Sequence, residues 1–240
     1  DPTTFADAVA ALERRGLRDC VPDPVWRHLE AGLRGERDET PDAREPRLRR
    51  VRHGVLASNR TAREAAALAA HAHLRRTEPD ALLILAPRHP ERGDEVAEIC
   101  AAEGFTCQRR STGAIPTGDV YLADTLGEMG LWYALAPVIF VGGSLVPRGG
   151  HNPYEVAHAG AAVLTGPHIA NFAETYEPMI DQGAAVRVNE ATDLGPALAH
   201  LLSTPNALAA QRTAASAFVS DQDHIRTAMA ADLTKTLDLA

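Results

Sequence analysis

Short apolar segments alternate with longer helical segments from residue 51 onward, and this alternation limits the possible folds more than any other feature of the sequence. Residues 81–86, which read Ala-Leu-Leu-Ile-Leu-Ala, contain no polar side chain. Uninterrupted apolar runs of this length predict strands that are buried on both faces, as in parallel sheets covered by helices. The sequence therefore predicts an α/β fold, a Rossmann-like parallel sheet with helices on both faces.

The periodicity of the apolar residues gives the order of the elements. Strands are expected at residues 51–57, 81–86, 106–109, 119–123, 138–141, 162–165 and 185–188. Helices are expected at residues 61–76, 90–103, 128–135, 153–159, 172–183 and 193–203, and over most of the remainder to residue 240. Residues 1–50 have helical spacing followed by a charged, proline-containing stretch, so we interpret them as a helical and linker segment of unassigned role. The Rossmann-like domain is predicted over residues 51–240.

The composition argues against several classes of function. The formal net charge of −8 does not suit a general nucleic-acid surface, so no nucleic-acid partner is expected. Cys20, Cys100 and Cys107 are odd in number and lack a Cys-x-x-Cys spacing, so we interpret them as reduced. The 10 histidines show no His-x-x-x-His or His-Glu-x-x-His spacing. We therefore expect no metal ion bound by the chain's own side chains, and no cofactor.

The most informative run for function is residues 138–155, Val-Ile-Phe-Val-Gly-Gly-Ser-Leu-Val-Pro-Arg-Gly-Gly-His-Asn-Pro-Tyr-Glu. A short apolar strand ends in a glycine-rich loop, and Asn-Pro then starts a helix. This order brings backbone N–H groups and a helix N-terminus to one place, as in α/β proteins that bind phosphate. Arg148, His151 and Glu155 add a cation, an imidazole and a carboxylate close together. The segment therefore predicts an anion-binding site whose additional side chains contact other parts of the ligand.

Other polar loops also follow predicted strands. Ser58 follows the first strand, Arg88 the second, and Gly127 and Glu128 a later one. Ligands of parallel sheets bind beyond the carboxyl ends of the strands, where such loops meet. We therefore expect one pocket, lined by Ser58, Arg88, Glu128, the glycine-rich loop and Glu155.

Together, these loops resemble the carboxyl-terminal half of the bacterial Kdo transferases, which move 3-deoxy-D-manno-octulosonic acid (Kdo) from CMP-Kdo to lipid A precursors. The resemblance covers about residues 55–205 and has four segments in the family's order and spacing. The matching segments are residues 82–92 (LLILAPRHPER), 123–128 (ADTLGE), 140–153 (FVGGSLVPRGGHNP) and 166–172 (GPHIANF). Residues 57–60 read Ala-Ser-Asn-Arg where the family usually has Ala-Ser-Thr-His, so Ser58 is retained.

The resemblance implies one half of a GT-B fold, in which two Rossmann-like domains enclose the active site. Residues 51–240 would form the domain that binds the nucleotide-sugar donor, CMP-Kdo. The family's other domain binds the acceptor and supplies the base, and it has no match in residues 1–50. The implied reaction is an inverting transfer of Kdo to a lipid A precursor in lipopolysaccharide biosynthesis. The resemblance implies that the reaction takes place at the cytoplasmic face of the bacterial inner membrane. It also implies a separate or truncated acceptor domain as a partner.

The resemblance also implies roles for single residues. Glu155 is expected to accept hydrogen bonds from the ribose hydroxyls of the donor, and Arg88 is expected to stabilise the leaving CMP. Arg148 and His151 are expected either to stabilise the leaving CMP as well or to bind the carboxylate of Kdo. The catalytic base is left unassigned. The residues expected to bind the donor are Ser58, Arg88, Gly127, Glu128, Ser144, Gly149, Gly150, His151, Asn152 and Glu155.

Two other interpretations of the sequence stay open. One is a GT-B transferase that uses a different nucleotide sugar, such as a UDP-sugar. The other is a non-catalytic nucleotide-binding module without an acceptor domain. The Arg-His-Pro and Gly-Gly-His-Asn-Pro runs favour a Kdo transferase over a different GT-B transferase. The lack of a match to the acceptor domain favours the non-catalytic module.

Overall fold

A computed structural model describes the backbone of residues 54–59 and 64–236, and the side chains of residues 64–224. Within these residues seven strands form a parallel sheet in the order β3-β4-β2-β1-β5-β6-β7. The strands are β1 (Gly54–Asn59), β2 (Leu82–Pro87), β3 (Cys107–Arg109), β4 (Val120–Leu122), β5 (Val138–Phe140), β6 (Ala162–Thr165) and β7 (Ala185–Arg187). The α/β, Rossmann-like fold class predicted from the sequence is therefore confirmed.

Helices connect most of these strands. They are α1 (Glu64–Leu74), α2 (Gly93–Ala102), α3 (Met129–Leu135), α4 (Tyr154–His158), α5 (Ala173–Asp181), α6 (Ala191–Ser203) and α7 (Pro205–Thr236). Three short 3-10 turns are Pro90–Arg92, Arg110–Thr112 and Ala170–Phe172. Every predicted strand and helix from residue 51 to residue 203 has a counterpart, with differences only at the ends.

Two of these differences have local causes. Helix α6 begins at Ala191, earlier than predicted, because the side chains of Glu190 and Asp193 each accept a hydrogen bond from the other residue's backbone N–H. This reciprocal capping defines a helix start. Helix α5 ends at Asp181 rather than residue 183, because Gly183 has a positive φ of 70° that cannot continue a right-handed helix.

Alternate residues of each strand face the two sides of the sheet. In β2, Ile84 packs into one apolar cluster, which α3, α4, α5 and α7 cover. Its neighbour Leu83 packs into the second cluster, which α1, α2 and α6 cover. All six residues of β2 are buried, as their uninterrupted apolar sequence predicts.

The strand order reverses direction at β1. Strand β1 pairs with β2 on one side and with β5 on the other, so the two halves of the chain diverge from this point. The carboxyl ends of β1 and β5 therefore flank a topological switch point, where ligands of such sheets bind. The glycine-rich loop follows β5 directly.

The described chain divides into two compact units, with the boundary between Val219 and Ser220 inside α7. The first unit contains the whole sheet. The second includes the remainder of α7, up to Thr236. The proposed boundary at residue 50 and the helical or linker character of residues 1–50 lie outside the described residues.

Candidate functional site at the switch point

The first half of the glycine-rich loop is held in place by Ser144. Its hydroxyl donates to the Val141 carbonyl at 2.8 Å and accepts from the Gly166 N–H at 2.8 Å. The Ser144 carbonyl accepts from the His168 N–H at 2.9 Å. Ser144 is fully buried, and these bonds fix the loop to the segment after β6.

The second half of the loop requires glycine at two adjacent positions. Gly149 and Gly150 have φ values of 83° and 75°, a region that side-chain-bearing residues rarely adopt. A Cβ atom on Gly149 would lie 2.4 Å from the Asn171 side chain, and one on Gly150 would lie 3.2 Å from the His168 carbonyl oxygen. Asn171 also donates its backbone N–H to Gly149 and its side-chain amide to Arg148. The loop backbone is therefore packed closely against the segment after β6.

The end of the loop leads into α4. Tyr176 of α5 donates its hydroxyl to the His151 carbonyl at 2.9 Å, and Asn152 accepts the Tyr154 N–H at 3.0 Å through its side-chain oxygen. Both bonds fix the direction in which the chain leaves the loop. Glu155 lies in the first turn of α4 and is exposed.

Arg88 and Glu155, which the sequence predicts to share a pocket, both lie within electrostatic reach of the Tyr133 phenol. Burial raises the pKa of Tyr133, Glu155 raises it further, and Arg88 lowers it. Tyr133 is on α3, which contacts both β1 and α4 across the switch point. The structure therefore brings together a guanidinium, a carboxylate and a phenol from three separate elements.

Tyr133 is a candidate site residue that sequence reasoning missed. It lies in an apolar helical stretch, Met-Gly-Leu-Trp-Tyr-Ala-Leu, where a tyrosine is indistinguishable from a core residue. Its neighbour Trp132 is indeed core, with 1% of its surface exposed. Tyr133 differs from Trp132 because it is only half-buried and lies within electrostatic reach of Arg88 and Glu155.

Arg88 and Arg148 differ from the three arginines within residues 92–110. Arg92, Arg109 and Arg110 are each paired with carboxylates. Arg88 and Arg148 are exposed and form no ion pair with any residue that the structure describes. Unpaired guanidinium groups next to a switch point are suited to binding phosphate.

The loop after β4 contains Gly127 and Glu128. Gly127 is exposed, whereas the Glu128 carboxylate accepts hydrogen bonds from Arg110 and from the Thr125 hydroxyl. The ion pair with Arg110 lowers the pKa of Glu128, although partial burial opposes this. Glu128 is therefore engaged within the protein, and Arg110 is a second residue that sequence reasoning missed.

Ser58 lies near the end of β1 at the switch point. It is in register with Ala86 of β2, two residues before Arg88. This places the backbone of Ser58 at the predicted edge of the sheet.

Among the residues with described side chains, no group of three or more His, Cys, Asp or Glu residues could hold a metal ion. No helix in the described part is both long and apolar enough to cross a bilayer.

The strand order, the switch point and the glycine-rich loop define a Rossmann-like domain of the type that forms half of a GT-B glycosyltransferase. Similarity in sequence to known proteins indicates which family within this class the chain resembles. The chain is 42% identical over 176 residues to the 3-deoxy-D-manno-octulosonic acid transferase of Bordetella pertussis, a match of 69% of this chain and 40% of that protein. It is 38% identical over 141 residues to the Haemophilus influenzae enzyme of the same name, a match of 58% of this chain and 33% of that protein.

A solved structure gives the strongest support. The chain resembles the C-terminal CMP-Kdo binding domain of WaaA from Acinetobacter baumannii with a TM-score of 0.70 and 32% identity, over 77% of this chain and 98% of that domain. No family model matches the chain. The chain belongs to the 3-deoxy-D-manno-octulosonic acid (Kdo) transferase family, as the four sequence segments predicted. It spans 33% to 40% of the length of the two relatives named above.

Proposed function

We propose that this chain is the donor-binding domain of a Kdo transferase and that it binds CMP-Kdo at the switch point. The proposal is carried by the position of Arg88, directly after β2, and of Glu155, in the first turn of the helix that follows the glycine-rich loop, at the carboxyl edge of the sheet next to the switch point. The Acinetobacter domain, which this chain matches over 98% of its length, is described as binding CMP-Kdo. The same ligand suits a site that combines unpaired cations with a carboxylate.

Each side chain has a distinct role in this proposal. The Glu155 carboxylate accepts hydrogen bonds from the ribose hydroxyls, because a carboxylate has two acceptor oxygens at suitable spacing. Arg88 and Arg148 bind the phosphate, and Gly149 and Gly150 let the loop backbone approach it closely. The remaining donor contacts are assigned to Ser58, Gly127, His151 and Asn152.

The proposed chemistry is an inverting glycosyl transfer. A hydroxyl of the acceptor forms a bond to the anomeric carbon of Kdo, while the bond from that carbon to the CMP phosphate oxygen breaks. Negative charge grows on the departing phosphate, and positively charged groups fixed beside it lower the barrier. We assign this role to Arg88, Arg148 and His151. A general base must take the acceptor proton, and we assign it to no residue described here.

The acceptor and the cellular location are also proposals. We infer that the acceptor is a lipid A precursor and that transfer takes place at the cytoplasmic face of the bacterial inner membrane. The names of the relatives support the transfer of Kdo, and the matched region is 33% to 40% of each. An acceptor-binding domain would complete the site. Fractionation of the source cells tests the location. We expect the chain in the membrane pellet, and its presence in the supernatant would contradict this inference.

Isothermal titration calorimetry with CMP tests donor binding. Glu155→Ala is expected to abolish or strongly weaken CMP binding, because the ribose loses its acceptor. Glu174→Ala is the matched control, since Glu174 is also an exposed glutamate in the first turn of a helix, α5. UMP and UDP in parallel titrations distinguish CMP from other nucleotides. Binding of UDP in preference to CMP would favour a different GT-B transferase, and no binding by a folded chain would contradict the proposal.

A further inference from the structure

Two carboxylates bracket the loop between β4 and α3. Asp124 begins it and Glu128 ends it, and we call residues 124–128 the rim loop. Residues 109–112, which we call the β3 turn, hold both carboxylates. The rim loop is therefore fixed at its two ends by one neighbouring segment.

The Asp124 end of the rim loop is fixed by hydrogen bonds to a buried carboxylate. The Asp124 carboxylate, 1% exposed, accepts from the Ser111 N–H at 2.9 Å, the Ser111 hydroxyl at 2.7 Å and Arg109 Nε at 2.8 Å. Burial alone would raise the pKa of Asp124, but these bonds together lower it. The carboxylate is therefore charged and satisfied at neutral pH.

The second end is fixed by Arg110. Its Nη2 lies 2.7 Å from Glu128 Oε1 and its Nε lies 3.1 Å from Glu128 Oε2, a bidentate ion pair. The Thr125 hydroxyl donates to the same carboxylate. The Arg110 guanidinium carbon also lies 5.7 Å from the ring centroid of the buried Trp132. Arg110 thus connects the rim loop to the packed face of α3.

The middle of the rim loop points away from the protein. Leu126 is 83% exposed, and Gly127, with a φ of 82°, borders open space. Among the described residues, none accepts a hydrogen bond from the backbone N–H of Leu126, Gly127 or Glu128. The loop is fixed at its ends while its middle is available to a ligand at the carboxyl edge of the sheet.

We propose that Arg110 is a positioning residue for donor binding. Through Glu128 and Trp132 it fixes the rim loop and α3, the helix that carries Tyr133 and contacts β1 and α4. The inference rests on the proposed function and deepens it, because Arg110 and Glu128 act through the loop rather than by contacting the donor.

A double-mutant cycle on CMP binding tests the proposal. Arg110→Ala is expected to weaken CMP binding on the order of tenfold, since the lost charged hydrogen bonds release the loop. Glu128→Ala is expected to have a similar effect, and the double variant should bind no more weakly than either single one. Arg110→Lys, which keeps the charge but not the bidentate geometry, should recover part of the affinity.

The matched control is Arg75→Ala. Arg75 also pairs with a carboxylate, Asp119, but Asp119 lies just before β4, at the opposite edge of the sheet. This variant should lower the thermal midpoint slightly and leave CMP affinity unchanged. If Arg110→Ala does not fold, Glu128→Gln, which keeps the shape of the side chain, provides the same comparison.

Trp132 offers a second readout that a purely structural role would not produce. In a Trp26→Phe background Trp132 is the remaining tryptophan, and its emission should change on adding CMP, with a smaller change in Arg110→Ala. Wild-type affinity in a folded Arg110→Ala variant, or full additivity in the cycle, would overturn this inference alone. Absence of CMP binding by the wild type would overturn it together with the proposed function.

Discussion

At the scale of single residues, the proposed site takes a cation and a carboxylate from different elements. Arg88 follows β2, Glu155 lies in α4, and Tyr133, whose pKa Glu155 raises and Arg88 lowers, lies in α3. None of these elements is adjacent to the other two in sequence. The strand order therefore determines how close these residues lie, and we expect each side chain to contribute separately to donor affinity.

Arg88→Ala is expected to weaken CMP binding by roughly tenfold to a hundredfold, because charge-assisted hydrogen bonds to a phosphate are lost. Arg76→Ala serves as the control, since Arg76 is exposed just beyond the end of α1 and forms no ion pair with a described residue. Calorimetric titration of both variants gives the comparison. Equal affinities would remove Arg88 from the site.

Tyr133→Phe removes one hydroxyl and leaves the packing of α3 intact. We expect CMP affinity to fall a few-fold, because the Tyr133 hydroxyl can no longer form a neutral hydrogen bond with the bound CMP. The thermal midpoint should change little, because the phenol is only half-buried. A large loss of stability with unchanged affinity would instead make Tyr133 a core residue.

At the scale of elements, the loop between β5 and α4 is a rigid unit rather than a flexible linker. Ser144 fixes its first half, Asn171 its second, and Tyr176 its exit into α4. A substitution that moves the loop backbone should therefore reduce donor affinity even if it removes no side chain from the site.

Gly150→Ala tests this directly. The positive φ of 75° costs about 1–2 kcal/mol for a residue with a Cβ, and the Cβ would also press on the His168 carbonyl. We expect lower stability and weaker CMP binding. Gly183→Ala is the control, because Gly183 also has a positive φ of 70° but borders open space far along the chain from the loop. Gly183→Ala should lose a similar free energy of unfolding through its strained backbone, which urea unfolding measures. Its CMP affinity, measured by titration, should not change.

The elements were largely predictable, whereas several contacts were not. Strand β2 is recognisable because its run of apolar residues is uninterrupted, and α4 because Asn-Pro precedes it. The roles of Arg110 and Ser144 depend on partners 18 and 22 residues away, Glu128 and Gly166, which sequence periodicity does not indicate. From the sequence alone, a serine in a glycine-rich loop suggests a hydroxyl that donates a hydrogen bond to a ligand, because its burial is not known.

At the scale of the whole molecule, one buried histidine links stability to pH. His71 of α1 is 1% exposed and packs against the Phe105 ring. Burial and the nearby charge of Arg75 lower the pKa of His71 from 6.5 to about 4, even though Asp119 opposes the shift. The folded state therefore holds His71 neutral, whereas the unfolded chain takes up a proton below pH 6.5.

The stability contribution of His71 is complete above its unfolded pKa and is lost as the pH falls toward 4. Between pH 7.5 and pH 5, the wild type should lose about 2 kcal/mol more free energy of unfolding than His71→Leu. Urea unfolding at the two pH values measures this difference. The same loss in both proteins would assign the acid sensitivity to other groups.

The central claim is that the switch point of this sheet binds CMP, and a crystal structure of the chain with CMP tests it most directly. We predict the phosphate within about 3 Å of the Arg88 guanidinium and the ribose hydroxyls within the same distance of the Glu155 carboxylate. CMP located at another surface, or at the switch point with its phosphate away from Arg88, would contradict the account.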